Sequence, residues 1–274
     1  MITPGHMLSQ IVAWATRETN VRRLILVGSR ARVECPDDLA DIDVQVYAET
    51  SDPYTSDDTW LTTIAAPWLC VRDEYIDGDV TVPTRLVIFE SGVKVDFAFY
   101  PARVMSEGVR TGLPHRILLD KDRGDRCAAA TASRPIPPAL PDELEFRQLV
   151  EEFWFEAYHV AKYLTRDELW LAKSRDQATK RFLWRMIEWH EQIARGHAPD
   201  PCGEGRRASV SEDTWAALDA TFSGFGRDES WSAMLATTRL FQRLSAEIAA
   251  TLGFTYPGET VSNMSQLILS LRGR

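Results

Sequence analysis

The apolar residues of this 274-residue chain follow two different patterns, and the pattern changes near residue 135. Before that point, short runs rich in β-branched and aromatic residues predict strands; these are 23–28, 42–47, 84–90 and 93–99. Two helices are expected among them, at 7–17 and 57–66. Beyond residue 135, apolar residues recur every three to five positions, which predicts helices; these cover 142–165, 167–196, 211–222, 228–252 and 259–271.

The segment Ser133 to Pro141 lies at the change of pattern and contains four of the fourteen prolines of the chain. Proline lacks a backbone N–H and blocks helix formation, so this segment is the predicted linker between two domains. We therefore predict an α+β protein. Its first domain, residues 1–135, has a mixed β-sheet with flanking helices, and its second domain, residues 136–274, is a helical bundle.

Charge and hydropathy narrow the function classes. The net charge is −9, and acidic residues outnumber basic ones in both predicted domains. Nucleic-acid binders neutralise phosphates with a basic excess, so we expect no nucleic-acid partner, whereas an acidic surface favours a cationic small molecule. No apolar run approaches the roughly 18 residues of a membrane helix, and the first residues lack the features of a signal peptide. We therefore expect a cytoplasmic protein without a membrane partner.

Three aspartates stand where apolar alternation places them on one face of predicted strands. Asp41 and Asp43 flank Ile42 at the start of a strand, so both are expected to project from the face opposite the core. Asp96 is the single acidic residue in the apolar strand 93–99. Neighbouring carboxylates repel each other unless a cation lies between them, and Mg²⁺ prefers carboxylate, water and phosphate oxygens. Adjacent strands would bring the three together for a two-metal phosphoryl transfer.

A Gly-Ser-Arg turn precedes these carboxylates. Gly28 follows the strand that ends at Val27, and Ser29 lies twelve residues before Asp41. Glycine lets a backbone approach a phosphate closely, Ser29 offers a hydroxyl and an N–H, and Arg30 adds a cation. The combination of strand, Gly-Ser turn and Asp-x-Asp therefore predicts a phosphate site beside the carboxylates.

These motifs resemble those of the nucleotidyltransferase superfamily that includes the polymerase-β-type enzymes, and more narrowly those of the aminoglycoside 6-adenylyltransferases, which modify streptomycin. The resemblance covers most of the chain; beyond the two motifs it rests on the segments 95–101, 117–122, 152–154, 158–162 and 183–190. It implies an N-terminal nucleotidyltransferase domain and a C-terminal helical domain that binds substrate or nucleotide. The implied reaction is transfer of AMP from ATP to a hydroxyl of an aminoglycoside, with streptomycin modified at its 6-position and pyrophosphate released.

The resemblance also implies roles for single residues. Asp41 and Asp43 would carry Mg²⁺, while Ser29 and Arg30 would hold the triphosphate of ATP. Asp96 is the third catalytic carboxylate, which either shares the metal or acts as base on the acceptor hydroxyl.

Three charged residues of the first long helix are further candidates. Glu151 and Glu152 lie near its start, where a carboxylate could contact the acceptor or serve as its base; the alternative is a solvated or salt-bridged helix face. Lys162 follows almost three turns later and lies near the same face. From there a lysine could reach the phosphates of ATP.

Two alternatives stay open for the function. The same transfer could use another acceptor, such as a different metabolite or a protein hydroxyl, or the chain could be a non-catalytic nucleotide-binding homologue. A polynucleotide acceptor is disfavoured by the acidic charge of both domains. The sequence predicts no particular oligomeric state.

Overall fold

The computed structural model describes residues 2–32, 39–90, 92–107, 109–122, 139–196, 207 and 210–273. The chain divides into two compact units, Met1–Ile136 and Pro137–Arg274. Residues 133–138 of the predicted linker lie outside the described residues. The described part of the first unit contains a mixed sheet and that of the second unit is helical, which confirms the predicted α+β class.

A six-stranded sheet forms the centre of the first unit, with the strand order β3-β4-β5-β2-β1-β6. The strands are β1 (Val21–Val27), β2 (Ile42–Ala48), β3 (Pro67–Asp77), β4 (Val80–Phe89), β5 (Lys94–Pro101) and β6 (His115–Asp120). The two central strands β2 and β5 pair in parallel, and every other neighbouring pair is antiparallel. The sheet therefore joins two segments that are distant in sequence at its middle.

The two faces of the sheet carry different residues because successive side chains of a strand alternate. One face is apolar and belongs to the main core of the unit, with Val44 and Val46 from β2 and Phe97 and Phe99 from β5. The other face carries a smaller apolar cluster: Ile25, Val27, Tyr47, Val80, Val82, Tyr100 and Val104. The alternation predicted from the sequence thus separates the core from the face that carries Asp96.

Helices cover the apolar face of the sheet. The helix α1 (Pro4–Arg17) buries Met7, Ile11 and Trp14 in the main core, at the spacing of one helix face. Its start is fixed by Thr3, whose hydroxyl oxygen accepts a hydrogen bond from a first-turn N–H, and by a proline in the first turn. A one-turn helix, α2 (Asp52–Thr55), and three 3₁₀ turns, Ser29–Ala31, Thr59–Thr63 and Ala102–Glu107, complete the described part of the unit.

The strand β3 and the segment 57–66 differ from the prediction. Most side chains of β3 are exposed at the edge of the sheet, so the strand lacks the apolar alternation by which strands are recognised, and the sequence pattern does not predict it. The helix expected at 57–66 is only the 3₁₀ turn Thr59–Thr63. Asp57 accepts hydrogen bonds from the N–H and hydroxyl of Thr59, and such local side-chain bonds compete with a continuing helix.

The second unit contains five helices in its described part, close to the predicted bounds. They are α3 (Glu143–Thr165), α4 (Leu169–Arg195), α5 (Glu212–Asp219), α6 (Arg227–Leu252) and α7 (Gly258–Arg272). Two of them, α4 and α6, end at the left-handed glycines Gly196 and Gly253. The core includes Phe153 of α3 stacked on Phe241 of α6, with ring centroids 3.6 Å apart. Within the described chain, no helix combines the length and apolar character needed to cross a membrane.

Candidate active site

The structure places Asp43 and Asp96 side by side. Strands β2 and β5 run parallel, and their register pairs Asp43 with Asp96, on strands about 4.8 Å apart. Both lie on the face opposite the main core, because the residues before and after them, Ile42, Val44, Val95 and Phe97, belong to that core. Two of the carboxylates expected to share a metal therefore lie on adjacent strands.

Asp41 lies just before β2 rather than within it, so strand alternation does not set its direction, contrary to the expectation from the sequence. Its position is set by Lys94 instead. The Lys94 Nζ donates to Asp41 Oδ2 at 2.5 Å and to Asp96 Oδ2 at 2.9 Å. Partial burial acts to lower the pKa of Lys94, but the hydrogen bonds and charges of Asp41 and Asp96 together outweigh it and raise that pKa above its ordinary value. The charged ammonium thus bridges two of the three predicted carboxylates.

Lys94 is a residue of the site that the sequence interpretation does not identify. A lysine at the start of β5 belongs to none of the motifs from which the site was predicted. The available signal is its spacing, since Lys94 stands two residues before Asp96 and must lie on the same strand face.

The electrostatics of the site concentrate on Asp43. Burial, together with the charges of Asp96 and Asp41, raises the pKa of Asp43 to about 6, although Lys94 acts in the opposite direction. The three carboxylates therefore repel one another across the strand pair, and the single lysine compensates this only in part. A divalent cation at this place would relieve the repulsion.

The donor set fits Mg²⁺. One carboxylate oxygen, Asp96 Oδ1, is buried without a hydrogen-bond partner, and such an orphaned acceptor is costly unless a cation or donor meets it. Among the described residues, no three His, Cys, Asp or Glu side chains are grouped closely enough to hold a metal ion by themselves. A Mg²⁺ held by Asp43 and Asp96 would therefore complete its shell with water and substrate oxygens, as this ion commonly does.

Gly28 is required by the close approach of the turn to Asp43. Its φ is +79°, and a Cβ at this position would lie 3.0 Å from Asp43 Oδ2, a conformation and a contact that other residues avoid. The Gly28 N–H donates to Pro114 O at 2.9 Å. The glycine therefore contributes space beside the carboxylate, and its N–H is already engaged with the protein.

Ser29 and Arg30 lie directly beyond this glycine, in the 3₁₀ turn Ser29–Ala31. The Arg30 Nε donates to Ala40 O at 2.7 Å, which links the turn to the segment just before Asp41. The structure thus brings the Gly-Ser-Arg turn and the Asp-x-Asp motif together. The binding of a triphosphate by Ser29 and Arg30 stays a prediction.

The remaining predicted residues belong to the second unit. Glu151 and Glu152 are exposed on α3 and line an open recess of about 580 Å³ together with Phe155, Glu156 and Phe182; we call it the α3 recess. Lys162, also on α3, lies 5.9 Å from the ring centroid of Tyr158 and 5.3 Å from that of Tyr163, within cation–π range. Their roles in binding acceptor and ATP stay predictions.

Comparison with known proteins identifies the family. The family described as streptomycin adenylyltransferase matches residues 1–271. The aminoglycoside 6-adenylyltransferase of Campylobacter jejuni is 25% identical over 272 residues, which cover 92% of this chain and 91% of the relative. That of Bacillus subtilis is 24% identical over 269 residues, or 94% of each chain. A crystal structure of an aminoglycoside 6-adenyltransferase from Bacillus subtilis aligns over 97% of each chain with 20% identity and a TM-score of 0.48. Because the family match spans nearly the entire sequence, the chain belongs to the streptomycin adenylyltransferase family and is a nucleotidyltransferase.

Proposed function

We propose that this chain transfers AMP from ATP to a hydroxyl of an aminoglycoside in a Mg²⁺-dependent reaction, with streptomycin as the acceptor at its 6-position. The observation that carries the proposal is the pairing of Asp43 with Asp96 on adjacent parallel strands, directly beside Gly28. The names of the relatives support the acceptor class, and a net charge of −9 suits a polycationic substrate. The product would be an inactivated antibiotic.

Three carboxylates carry the chemical step in this proposal. Asp43 and Asp96 would hold Mg²⁺, and Asp41 would add its negative charge beside them. The bound ion would neutralise the charge that develops on the phosphoryl oxygens. The acceptor oxygen forms a bond to the α-phosphorus, the bond to pyrophosphate breaks, and the hydroxyl proton leaves. The unpartnered Asp96 Oδ1 is suited either to accept that proton or to bind the metal. If Asp96 binds the metal, a glutamate of the second domain would act as the base instead.

The turn beside the carboxylates positions the triphosphate. Gly28 leaves room next to Asp43, and Ser29 and Arg30 supply a hydroxyl and a cation for the phosphate oxygens. Lys94 holds Asp41 and Asp96 in a fixed arrangement through its two hydrogen bonds. Residues 1–135 therefore act as the nucleotidyltransferase domain.

The helical domain, residues 136–274, binds substrate and nucleotide. In the α3 recess, Glu151 and Glu152 would contact ammonium or guanidinium groups of the acceptor, and the exposed ring of Phe155 offers an apolar surface to a sugar ring. Lys162 would contact the phosphates of ATP.

Pyrophosphate release from ATP and Mg²⁺, measured against a panel of aminoglycosides, tests the proposal. We expect release that depends on streptomycin and is abolished in Asp43→Asn. Full activity of Asp43→Asn would contradict the mechanism. Release with another class of acceptor and none with any aminoglycoside would keep the nucleotidyl transfer and contradict the proposed substrate.

A further inference from the structure

A second concave region lies in the first unit, on the sheet face that carries Asp43 and Asp96. It has a volume of about 560 Å³ and is open to solvent, and we call it the sheet pocket. Its lining comes from four strands and one loop: Val27, Gln45, Tyr75, Ile76, Asp77, Tyr100 and residues 110–113. No role for these residues follows from the motifs of the sequence.

The sheet pocket begins beside the candidate active site. Val27, in its lining, is the β1 partner of Asp43. Gln45 stands two residues beyond Asp43 on β2, so it lies on the same face at a distance of about 6.6 Å along the strand. The loop 110–113 leads directly into Pro114, whose carbonyl accepts the Gly28 N–H. Two lining residues, Val27 and Gln45, therefore lie next to Asp43 on the same sheet.

The floor of the sheet pocket is an ordered polar network. The Tyr100 hydroxyl donates to Asp77 Oδ2 at 3.0 Å and lies 2.9 Å from the Tyr75 hydroxyl. The Gln45 Nε2 donates to Arg110 O at 2.9 Å. Gln45 and Tyr100 are buried, whereas Tyr75 is 43% exposed and stands at the rim. Hydroxyl, amide and carboxylate groups held in this way can exchange hydrogen bonds with the hydroxyls of a sugar or cyclitol ring.

The charge around the sheet pocket is negative. Asp77 lines the pocket, and Asp79 lies in the turn after β3. Arg110 also lines the pocket, and it donates to Asp77 O at 3.0 Å and pairs with Asp79 at 3.4 Å. Carboxylates thus outnumber this guanidinium, which favours a cationic ligand over a triphosphate.

We propose that the sheet pocket binds a hydroxylated, cationic ring of the acceptor, next to the hydroxyl that receives AMP, and that Asp77 determines specificity for that ring. The inference rests on the proposed function and deepens it. A ring seated on Gln45 and Tyr100 presents its neighbouring hydroxyl toward Asp43 and Asp96, and the Asp77 carboxylate pairs with an ammonium or guanidinium substituent.

Three variants with the same change in net charge test the proposal. Asp77→Asn removes the carboxylate, and Ile76→Lys adds an ammonium at a position that is 78% exposed in the pocket rim. Asp73→Asn is the matched control, because Asp73 is exposed on the same strand and lies outside the pocket lining. In pyrophosphate-release assays we expect the KM for streptomycin to rise at least about tenfold in the first two variants. The KM for ATP should stay near the wild-type value in all three.

The possible outcomes distinguish failure of the pocket hypothesis from failure of the proposed function. An unchanged KM for streptomycin in Asp77→Asn and Ile76→Lys overturns the inference while the transfer reaction stands. A change in the KM for ATP instead, in particular a decrease in Ile76→Lys, assigns the sheet pocket to the nucleotide and also overturns it. Ile76→Lys alters only an exposed edge position, where lysine is well tolerated, so it decides the question even where Asp77→Asn unfolds.

If the wild-type protein releases no pyrophosphate with any aminoglycoside, the proposed function fails. Calorimetric titration with streptomycin then tests whether the sheet pocket binds this ligand. Weaker binding by Asp77→Asn and Ile76→Lys than by Asp73→Asn supports the pocket. Equal binding by all three, or no binding by the wild type, overturns it.

Discussion

The charge on Asp43 destabilises the folded, metal-free protein at neutral pH. Burial, with the charges of Asp96 and Asp41, raises the pKa of Asp43 to about 6 from an ordinary value of 3.8. The folded chain therefore holds this proton more tightly than the unfolded chain, and stability is lost as the pH rises between these two values. Above them the full difference applies, which corresponds to about 3 kcal/mol.

Asp43→Asn removes this charge and keeps the size of the side chain. With a chelator at pH 8, we expect the variant to be more stable than the wild type by about 3 kcal/mol, which raises the Tm by roughly 6 to 12 °C. At pH 4 the folded wild type is already protonated at Asp43, so the advantage falls below about 1 kcal/mol. Thermal unfolding followed by circular dichroism measures both differences. Activity should be lost in the same variant, so stability and transfer move in opposite directions.

The exposed Asp73 provides the control, since Asp73→Asn removes a charge without relieving any burial. Its Tm should differ little from that of the wild type at either pH. An Asp43→Asn protein with the wild-type Tm at pH 8, or with an equal gain at both pH values, would refute the reasoning.

Three further outcomes follow from single contacts. Lys94→Met removes the ammonium that bridges Asp41 and Asp96, so we expect Mg²⁺ to bind several-fold more tightly to this variant than to Lys94→Arg in calorimetry. Equal affinities would contradict competition between the Lys94 ammonium and the metal. Gly28→Ala places a Cβ 3.0 Å from Asp43 Oδ2 at a φ of +79°. We expect it to lower the free energy of unfolding in urea by about 1–2 kcal/mol and to lower kcat. A wild-type kcat would contradict the close approach of the turn to Asp43. Phe153→Ala removes the ring stacked on Phe241 and should lower the free energy of unfolding by about 3–5 kcal/mol. A decrease well below this range in urea unfolding would show that the stacked pair contributes little to stability.

Local patterns in the sequence predict the elements whose side chains alternate cleanly. Phe97 and Phe99 lie in the core and Asp96 lies on the opposite face, as the period of two requires. The long helices α3, α4 and α6 are likewise predicted within about two residues, because each buries one apolar face. These features depend on spacing within one segment.

Other features depend on tertiary pairing and are absent from local patterns. The edge strand β3 exposes most of its side chains, so no apolar period marks it. The direction of Asp41 depends on Lys94, which lies 53 residues away. The sheet pocket needs the register of β1, β2, β3 and β5 together, and no single segment carries that information.

The parallel pairing of β2 with β5 sets the order in which the site can form. The consecutive strands β3, β4 and β5 pair as two antiparallel hairpins. Hairpins form rapidly because their contacts are local in sequence. The pair that aligns Asp43 with Asp96 must first close a loop of about fifty residues, with the entropy loss that this entails. A partly folded first unit therefore has strands but lacks the alignment of Asp43 with Asp96. During refolding, the return of activity marks completion of the central pair and lags behind the first appearance of β-structure.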